Sequence, residues 1–524
     1  NKQKTMLNYV LNSRAILIFI LPIALGLLTV FSFQPFNFTI INFVVLPILF
    51  LIISNVNKRS KSRYRKKPYL KNFFYIGYFF GIGFFLSGVY WISYSLTFDE
   101  SLKVIIPFSL ILIPLSLALF FGFASLISGP FIKNDYRSFF LFCLVYSLTD
   151  YLRGKIFSGF PWNLWSYSWS WFAEIIQVLN FIGLYAFNSI SIVLFCSPVI
   201  FFFKLKYKYY FLSFFALIFF SFSIYGSYKI NSDQKAFSTI SEKINMKVIS
   251  PSFEMRYIKN DNEIEETIKK VIRYSDPEAD KETLFVWPEG IFAGVYFEDL
   301  KKFSNYFNEN FSKNHLIVFG INTEDLSNNN FYNSLLITNN NLEVVYKYDK
   351  KKLVPFGEFI PFGEKLEKYG LKKVTQGYGS FAKGLKQKNF INDNLNLLTL
   401  ICYEIIFPKM VQDSEKETNL IVNISEDAWF GRSIGPHQHF AKAIFRAVEN
   451  NTYVVRSANQ GISAFINNNG KIIKRLEPDE AGSIELIVPL INNNLKNKND
   501  LIFFVLLFTY LIISLILRNK TNAK

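Results

Sequence analysis

LNLLTLICYE, residues 395–404, is the stretch whose reading decides the fold. The apolar run Leu395–Ile401 is short and lacks helical spacing, as a buried strand does. Cys402 then sits where the strand ends and the chain turns, so its backbone is fixed while its thiol reaches the sheet edge. Two other strand-like runs end the same way. TLFVWPEG (283–290) delivers Glu289 just after Pro288 breaks the ladder, and LEVVYKYDK (342–350) delivers Lys350. A carboxylate, an ammonium and a thiol are the parts of acyl transfer through a thioester. Each alone has an ordinary reading: a solvated glutamate, a solvated lysine, a buried cysteine. Three strand ends carrying these types in one domain favour the chemical reading.

Around them the segments MKVIS, LIVFGIN, NSLLIT, TNLIVNIS, TYVVRSA, ISAFINN and SIELIVP read as further strands. DNEIEETIKKVIRYS (261–275) and PHQHFAKAIFRAVENN (436–451) read as helices. Short apolar strands bounded by turn residues and alternating with helices predict a sheet covered by helices. At about 270 residues this block is long enough for its own core. It shows no internal repeat; the near-duplication PFGEFIPFGE is local.

The rest of the chain is different. Of 524 residues 18% are aromatic, 60 of them Phe, and the mean hydropathy is +0.21. This is too apolar for a soluble protein and too charged for a pure helical membrane bundle. Apolar runs near 14–33, 37–54, 72–95, 103–129, 138–152, 185–203, 207–228 and 500–517 approach or reach the ~20 residues a spanning helix needs. The first is expected to be a retained span, since it has no clear small-residue cleavage site and another run follows at once. The basic segments 57–71, KNDYR (133–137), KLKYK (204–208) and RNKTNAK (518–524) fall on one side of the implied topology with the N-terminus. QPFN (34–37), TFDESLK (97–103) and 153–171 fall on the other. Positive-inside orientation then puts both termini in the cytoplasm and residues 229–499 outside. The expected domains are a membrane domain of about seven helices over 1–228, a catalytic domain over 229–499, and a last helix with its tail over 500–524.

The net charge of +17 lies largely in loops flanking the spans, and no zinc-finger spacing or recognition helix accompanies it, so nucleic acid is not an expected partner. Cys143 and Cys196 lie in apolar runs and read as small buried hydrophobes, so no disulfide framework is indicated. His437 and His439 form an HQH without further ligands at metal spacing. No metal or organic cofactor is expected.

The chain resembles the nitrilase superfamily, and within it the apolipoprotein N-acyltransferase family. The resemblance is carried by GFPW (Gly159 to Trp162), VWPEG (286–290), YDKKKLVPFGEFIPF, ICYE (401–404), DAWFG (Asp427 to Gly431), GPHQH (Gly435 to His439) and RSANQGISAFIN (Arg456 to Asn467). It implies a multi-span helical membrane protein of about eight helices carrying an external αββα sandwich. It implies Glu289 as general base, Lys350 as electrostatic stabiliser and Cys402 as nucleophile. Glu358 matches a glutamate that orients the lysine, and Tyr403 and Glu404 match residues that shape the site. Two departures stand out: Glu426 replaces the Asn usual before Asp427, and the first strand continues as ISPSF, with Tyr257 the nearest aromatic to a family tryptophan. Trp162, Tyr257, Phe356, Phe359, Phe362 and Trp429 are candidates for a greasy substrate entrance; simple packing is the alternative for each. The implied partners are a phospholipid acyl donor, a diacylglyceryl-modified apolipoprotein and the membrane, with the enzyme a monomer in the inner membrane and its catalytic domain in the periplasm. The rival readings are a membrane-tethered amidase, and a transporter or sensor with an inactive hydrolase-like domain.

Overall fold

The computed structural model describes residues 13–60, 69–237, 240–327, 330–361, 380–385, 388–412, 418–491 and 499–522. The chain divides into two units. One comprises Asn1–Ser93, Ile105–Lys229 and Asn497–Lys524, and the other Tyr94–Val104 and Ile230–Lys496.

The first unit is helical. Among the described residues six helical stretches are long and apolar enough to cross a membrane: Thr39–Lys58, Tyr69–Phe98, Glu100–Phe131, Leu179–Phe202, Lys208–Lys235 and Asp500–Leu517. Ile16–Ser32 is a shorter apolar helical stretch. The run expected near 138–152 belongs to a longer helix, Tyr136–Lys155, whose polar residues Asp150 and Arg153 are both buried. Large apolar side chains face outward, among them Phe108, Ile111, Leu112, Leu217 and Phe508. In water that surface would be costly; against lipid tails it costs nothing.

The second unit holds two six-stranded sheets. The strands are β1 (Lys243–Ser250), β2 (Thr283–Val286), β3 (His315–Asp325), β4 (Asn330–Thr338), β5 (Val344–Asp349), β6 (Phe390–Asn392), β7 (Leu395–Ile401), β8 (Leu420–Glu426), β9 (Tyr453–Asn459), β10 (Ser463–Ile466), β11 (Ile472–Leu476) and β12 (Gly482–Pro489). Their orders are β12-β1-β2-β3-β4-β5 and β11-β10-β9-β8-β7-β6. In each sheet the three strands that carry the deepest core are parallel: β1, β2 and β3 in one, β7, β8 and β9 in the other.

These parallel strands read as continuous apolar runs because both faces are buried. Val248, Leu284, Val286 and Val318 face the other sheet, where they meet Leu397, Ile401, Val422, Ile424 and Val455. The alternate residues Ile249, Phe285, Trp287, Ile317 and Phe319 pack against Ile264, Ile268, Val271 and Ile272 of the helix Asp261–Ser275. That helix starts at Asn260, whose side chain accepts from the Glu263 N–H at 3.1 Å. Replacing this cap by Ala would cost about 1 kcal/mol, and Ile268→Ala about 2–5 kcal/mol. The helix Gly435–Glu449 is buried on the second sheet. The result is helix, sheet, sheet, helix, with the ends of the central strands left to carry side chains.

Candidate functional site

Lys350 and Cys402 follow β5 and β7 directly, and Glu289 follows β2 after Trp287 and Pro288. Each strand is held in register by its neighbours, and the Trp287 N–H, bonded to the Val318 carbonyl at 2.8 Å, carries that hold on toward Glu289. Lys350 Nζ lies 3.2 Å from Glu289 Oε1 and 2.9 Å from Glu358 Oε1. Glu358 is held in turn by the Val354 N–H on its Oε2 at 2.8 Å. A buried ammonium between two carboxylates has its geometry fixed from both sides.

Cys402 adopts φ +48°, a left-handed backbone for a residue with a Cβ. Such a conformation costs of order 1–3 kcal/mol and persists only where the surroundings impose it. Here the imposing group is Glu404. Its Oε2 accepts from the Ile401 N–H at 2.9 Å, and its Oε1 accepts from Lys351 and Lys352 N–H at 2.8 and 3.0 Å. The Tyr348 hydroxyl donates to the same carboxylate at 3.0 Å. One buried side chain thereby ties the turn bearing the thiol to the segment bearing the lysine.

The charges act on one another. Burial alone would lower the proton affinity of Lys350, but Glu289 and Glu358 overcome it and hold the ammonium well above its ordinary range. Burial pushes the Cys402 thiol up, the Glu289 carboxylate adds to that, and Lys350 opposes it. The resting group is therefore a thiol, which must give up its proton to become a nucleophile. A carboxylate base, a fixed cation and a thiol so arranged can form and break an acyl thioester.

The structure brings Glu289, Lys350, Glu358, Cys402 and Glu404 together. Tyr403 is half-buried beside them, edge-on to Phe407. Of the entrance candidates, Phe356 is half-exposed at φ +61°, and Phe359 is partly buried. Tyr257 packs by Gly294. Trp429 is partly buried, with its ring edge-on to Phe98 at 5.2 Å. Phe362 lies outside the described residues. Trp162 belongs to the helical unit, where it is fully buried and stacked on Phe160.

An apolipoprotein N-acyltransferase from Rickettsia bellii is 32% identical to this chain, over 84% of the chain and 88% of the relative. The chain belongs to the apolipoprotein N-acyltransferase family. A relative of the same name from Rhizobium leguminosarum is 28% identical over 90% of this chain and 89% of its own length. The model of the apolipoprotein N-acyltransferase N-terminal domain matches residues 25–198, and that of carbon-nitrogen hydrolases matches residues 260–494.

In this apolipoprotein N-acyltransferase family member the structure adds residues that sequence reasoning missed. Asn333 donates through Nδ2 to Glu289 Oε1 at 2.7 Å and to Glu358 Oε1 at 2.8 Å. Its carbonyl accepts the Lys350 N–H at 2.9 Å. The available signal was an amide inside the strand FYNSLLIT. Behind Cys402, Asp427 is paired with Arg456 at 2.7 Å and with His439 Nδ1 at 3.0 Å, and accepts from Ser425 Oγ at 2.6 Å. Burial would raise the Asp427 carboxyl, but Arg456 and His439 hold it well below the usual carboxylate range. His439, lowered to about 4 by burial and by Arg456, is neutral. The HQH motif is thus half absorbed into the core behind the site.

Proposed function

We propose that the protein transfers an acyl chain from a phospholipid to the N-terminal α-amine of a diacylglyceryl-cysteine on an apolipoprotein, by way of a thioester on Cys402. The observation that carries this reading is the buried Lys350 ammonium, bridged between Glu289 and Glu358 and felt by the Cys402 thiol, in a chain whose other half is helical and apolar enough for a bilayer.

In the first half-reaction Glu289 takes the thiol proton as sulfur attacks the acyl ester. Lys350 stabilises the oxyanion, and the proton passes to the departing lysophospholipid oxygen. In the second, the acceptor amine attacks the thioester, and Cys402 leaves and recovers a proton. The amide is more stable than the thioester, so the second step runs downhill. Water must be excluded while the thioester waits, which favours a site at the bilayer surface. In this reading the chain spans the inner membrane about eight times as a monomer, with both termini in the cytoplasm and residues 229–499 in the periplasm. Phe356, Phe359, Tyr257 and Trp429 serve the lipid entrance.

Intact-mass spectrometry of the protein mixed with phospholipid and no acceptor tests it. One added acyl chain, mapped to Cys402, is the expected result. No adduct, or an adduct elsewhere, removes the thioester route.

A further inference from the structure

The second half-reaction sets a proton problem. The acceptor amine arrives as an ammonium, and two N–H protons leave the nitrogen before an amide exists. One returns to Cys402 by way of Glu289. The other must be taken earlier, because a protonated amine has no lone pair with which to attack. If Glu289 takes that first proton, it is no longer a base for the second.

A second carboxyl stands beside it. Glu426 ends β8, the strand paired in parallel with the one that leads into Cys402, with Ile401 opposite Ile424. Its backbone N–H donates to Glu289 Oε2 at 3.1 Å, while Lys350 is bound to Oε1. Its own Oε2 lies against Gly290, where a Cβ would come within 2.4 Å. Only glycine, at φ +80°, lets the carboxyl sit so close to the base. The group is held, not adrift: Asn459 Nδ2 donates to Oε2 at 2.9 Å and to Oε1 at 3.1 Å, and the Ala428 N–H donates to Oε1 at 3.1 Å. Asn459 is itself clamped by the Phe253 N–H at 2.8 Å and carbonyl at 3.0 Å. Glu426 and the ISPSF segment therefore meet through one amide.

Glu426 is as enclosed as Lys350, each 2% exposed. Among the described residues it has no ion-pair partner, since Arg456 is taken by Asp427. A buried carboxyl held by N–H donors, without a cation, and bonded through its own backbone N–H to Glu289, leaves its charge to be met by a cationic group. We propose that Glu426 receives the acceptor's α-ammonium and removes its first proton. An N–H bond of the ammonium breaks and an O–H bond forms on Glu426. The freed lone pair attacks the thioester carbon and the C–S bond breaks. The second N–H proton goes to Glu289 and on to the Cys402 sulfur, and Glu426 releases its proton to water.

The surroundings suit that task. Burial, Glu289 from β2 and Asp427 on its own turn raise the proton affinity of Glu426 well above the ordinary carboxyl range, against the pull of Asn459 and Ala428. Lys350 lies across Glu289 from it, on the other carboxylate oxygen, and Pro251–Phe253 bring no titratable side chain. A carboxyl so raised is a stronger proton acceptor than an ordinary one.

The proposal rests on the acyl-transfer reading, and its test separates the two. Acyl-enzyme is first made with phospholipid in the wild type and in Glu426→Gln, then chased with a diacylglyceryl-cysteinyl peptide in single turnover. Thioester formation should stay within a few-fold of the wild type. Transfer should fall near neutrality, where most of the amine is protonated, by the ~10² typical of a lost general base, and approach the wild-type rate near pH 9. A weakly basic amine, neutral at the assay pH, should be acylated at the wild-type rate by both proteins. A transfer defect equal at every pH, no defect at all, or a defect that persists with the weak base overturns the proposal. Glu426→Asn carries the same comparison if the glutamine variant does not fold. A wild type that forms no thioester overturns the transfer reading itself, and this inference with it.

Discussion

Two buried charge clusters, one in each unit, look alike and differ in what they leave unspent. In the helical unit Arg153 NH2 meets Asp150 at 3.0 Å, and its NH1 donates to the Phe160 and Trp162 carbonyls at 2.8 and 2.6 Å. Asn188 donates to the other oxygen of Asp150 at 2.9 Å and accepts the Ser166 N–H at 3.0 Å. One cation meets one anion, and the second guanidinium nitrogen of Arg153 pins the GFPW loop. In the sandwich, one ammonium serves two carboxylates, and a thiol and a third carboxyl stand next to them. A structural cluster is neutral and closed. A reactive one is unbalanced, because a charge must be free to move during the reaction.

The largest effect that contrast predicts is loss of the thiol. Cys402→Ala should abolish both acyl-enzyme and amide product, since Cys143 and Cys196 are buried in the helical unit. Residual transfer by a folded alanine variant, read by mass spectrometry, would move the chemistry elsewhere. Next comes Lys350→Ala. It removes the cation shared by Glu289 and Glu358, and thioester formation should fall by at least about 10²–10³, the usual loss for one oxyanion-stabilising group. Wild-type-like thioester formation in that variant would make the lysine structural and erase the distinction between the clusters.

Arg153→Met tests the other side. Removing one partner of a buried ion pair typically costs about 3–5 kcal/mol, so the variant should melt well below the wild type. Its acyl-transfer rate per folded molecule should change by no more than a few-fold. A stable variant with an altered rate would show that the closed cluster takes part in function.

These contrasts explain what could be read from the sequence. The strands ending in Glu289, Lys350 and Cys402 were legible because each is an apolar run bounded by a polar residue at a turn. The helices at Asp261–Ser275 and Gly435–Glu449 were legible from their periodic apolar faces. Asn333 was not, because an amide in a strand gains meaning only when its neighbours across the fold are known. The same holds for Arg456 and Asp427, whose partners lie 29 residues apart in sequence. Glu426 was visible as an odd residue, but nothing in the sequence joins it to Phe253 through Asn459. The run near 138–152 is a weaker span in the sequence because it is short and ends in the polar residues Asp150 and Arg153. Burial against Asn188 and the carbonyls of Phe160 and Trp162 removes that objection to a continuous helix.

The smallest effect is the most discriminating. Glu289 raises the proton affinity of the Cys402 thiol and Lys350 lowers it. A small alkylating reagent reads the thiolate fraction directly, without needing a base for acyl transfer. Because the folded thiol is pushed up, alkylation of the wild type should be slow near neutrality and rise with pH beyond the ordinary thiol range of about 8.5. Glu289→Gln removes a negative charge beside the sulfur, so the thiolate becomes easier to form. Alkylation at fixed pH should then quicken by about threefold to tenfold, a shift of up to one pKa unit. Lys350→Ala should slow it. Acyl transfer should move differently, falling in both variants, because the reaction also needs a base and a cation. Opposite signs in alkylation with the same sign in catalysis separate electrostatic tuning of the thiol from participation in the chemistry. If Glu289→Gln slowed alkylation at every pH, the resting site would already hold the thiol's proton on Glu289. The sandwich cluster would then be an ion pair at rest, closed in the same way as the one around Arg153.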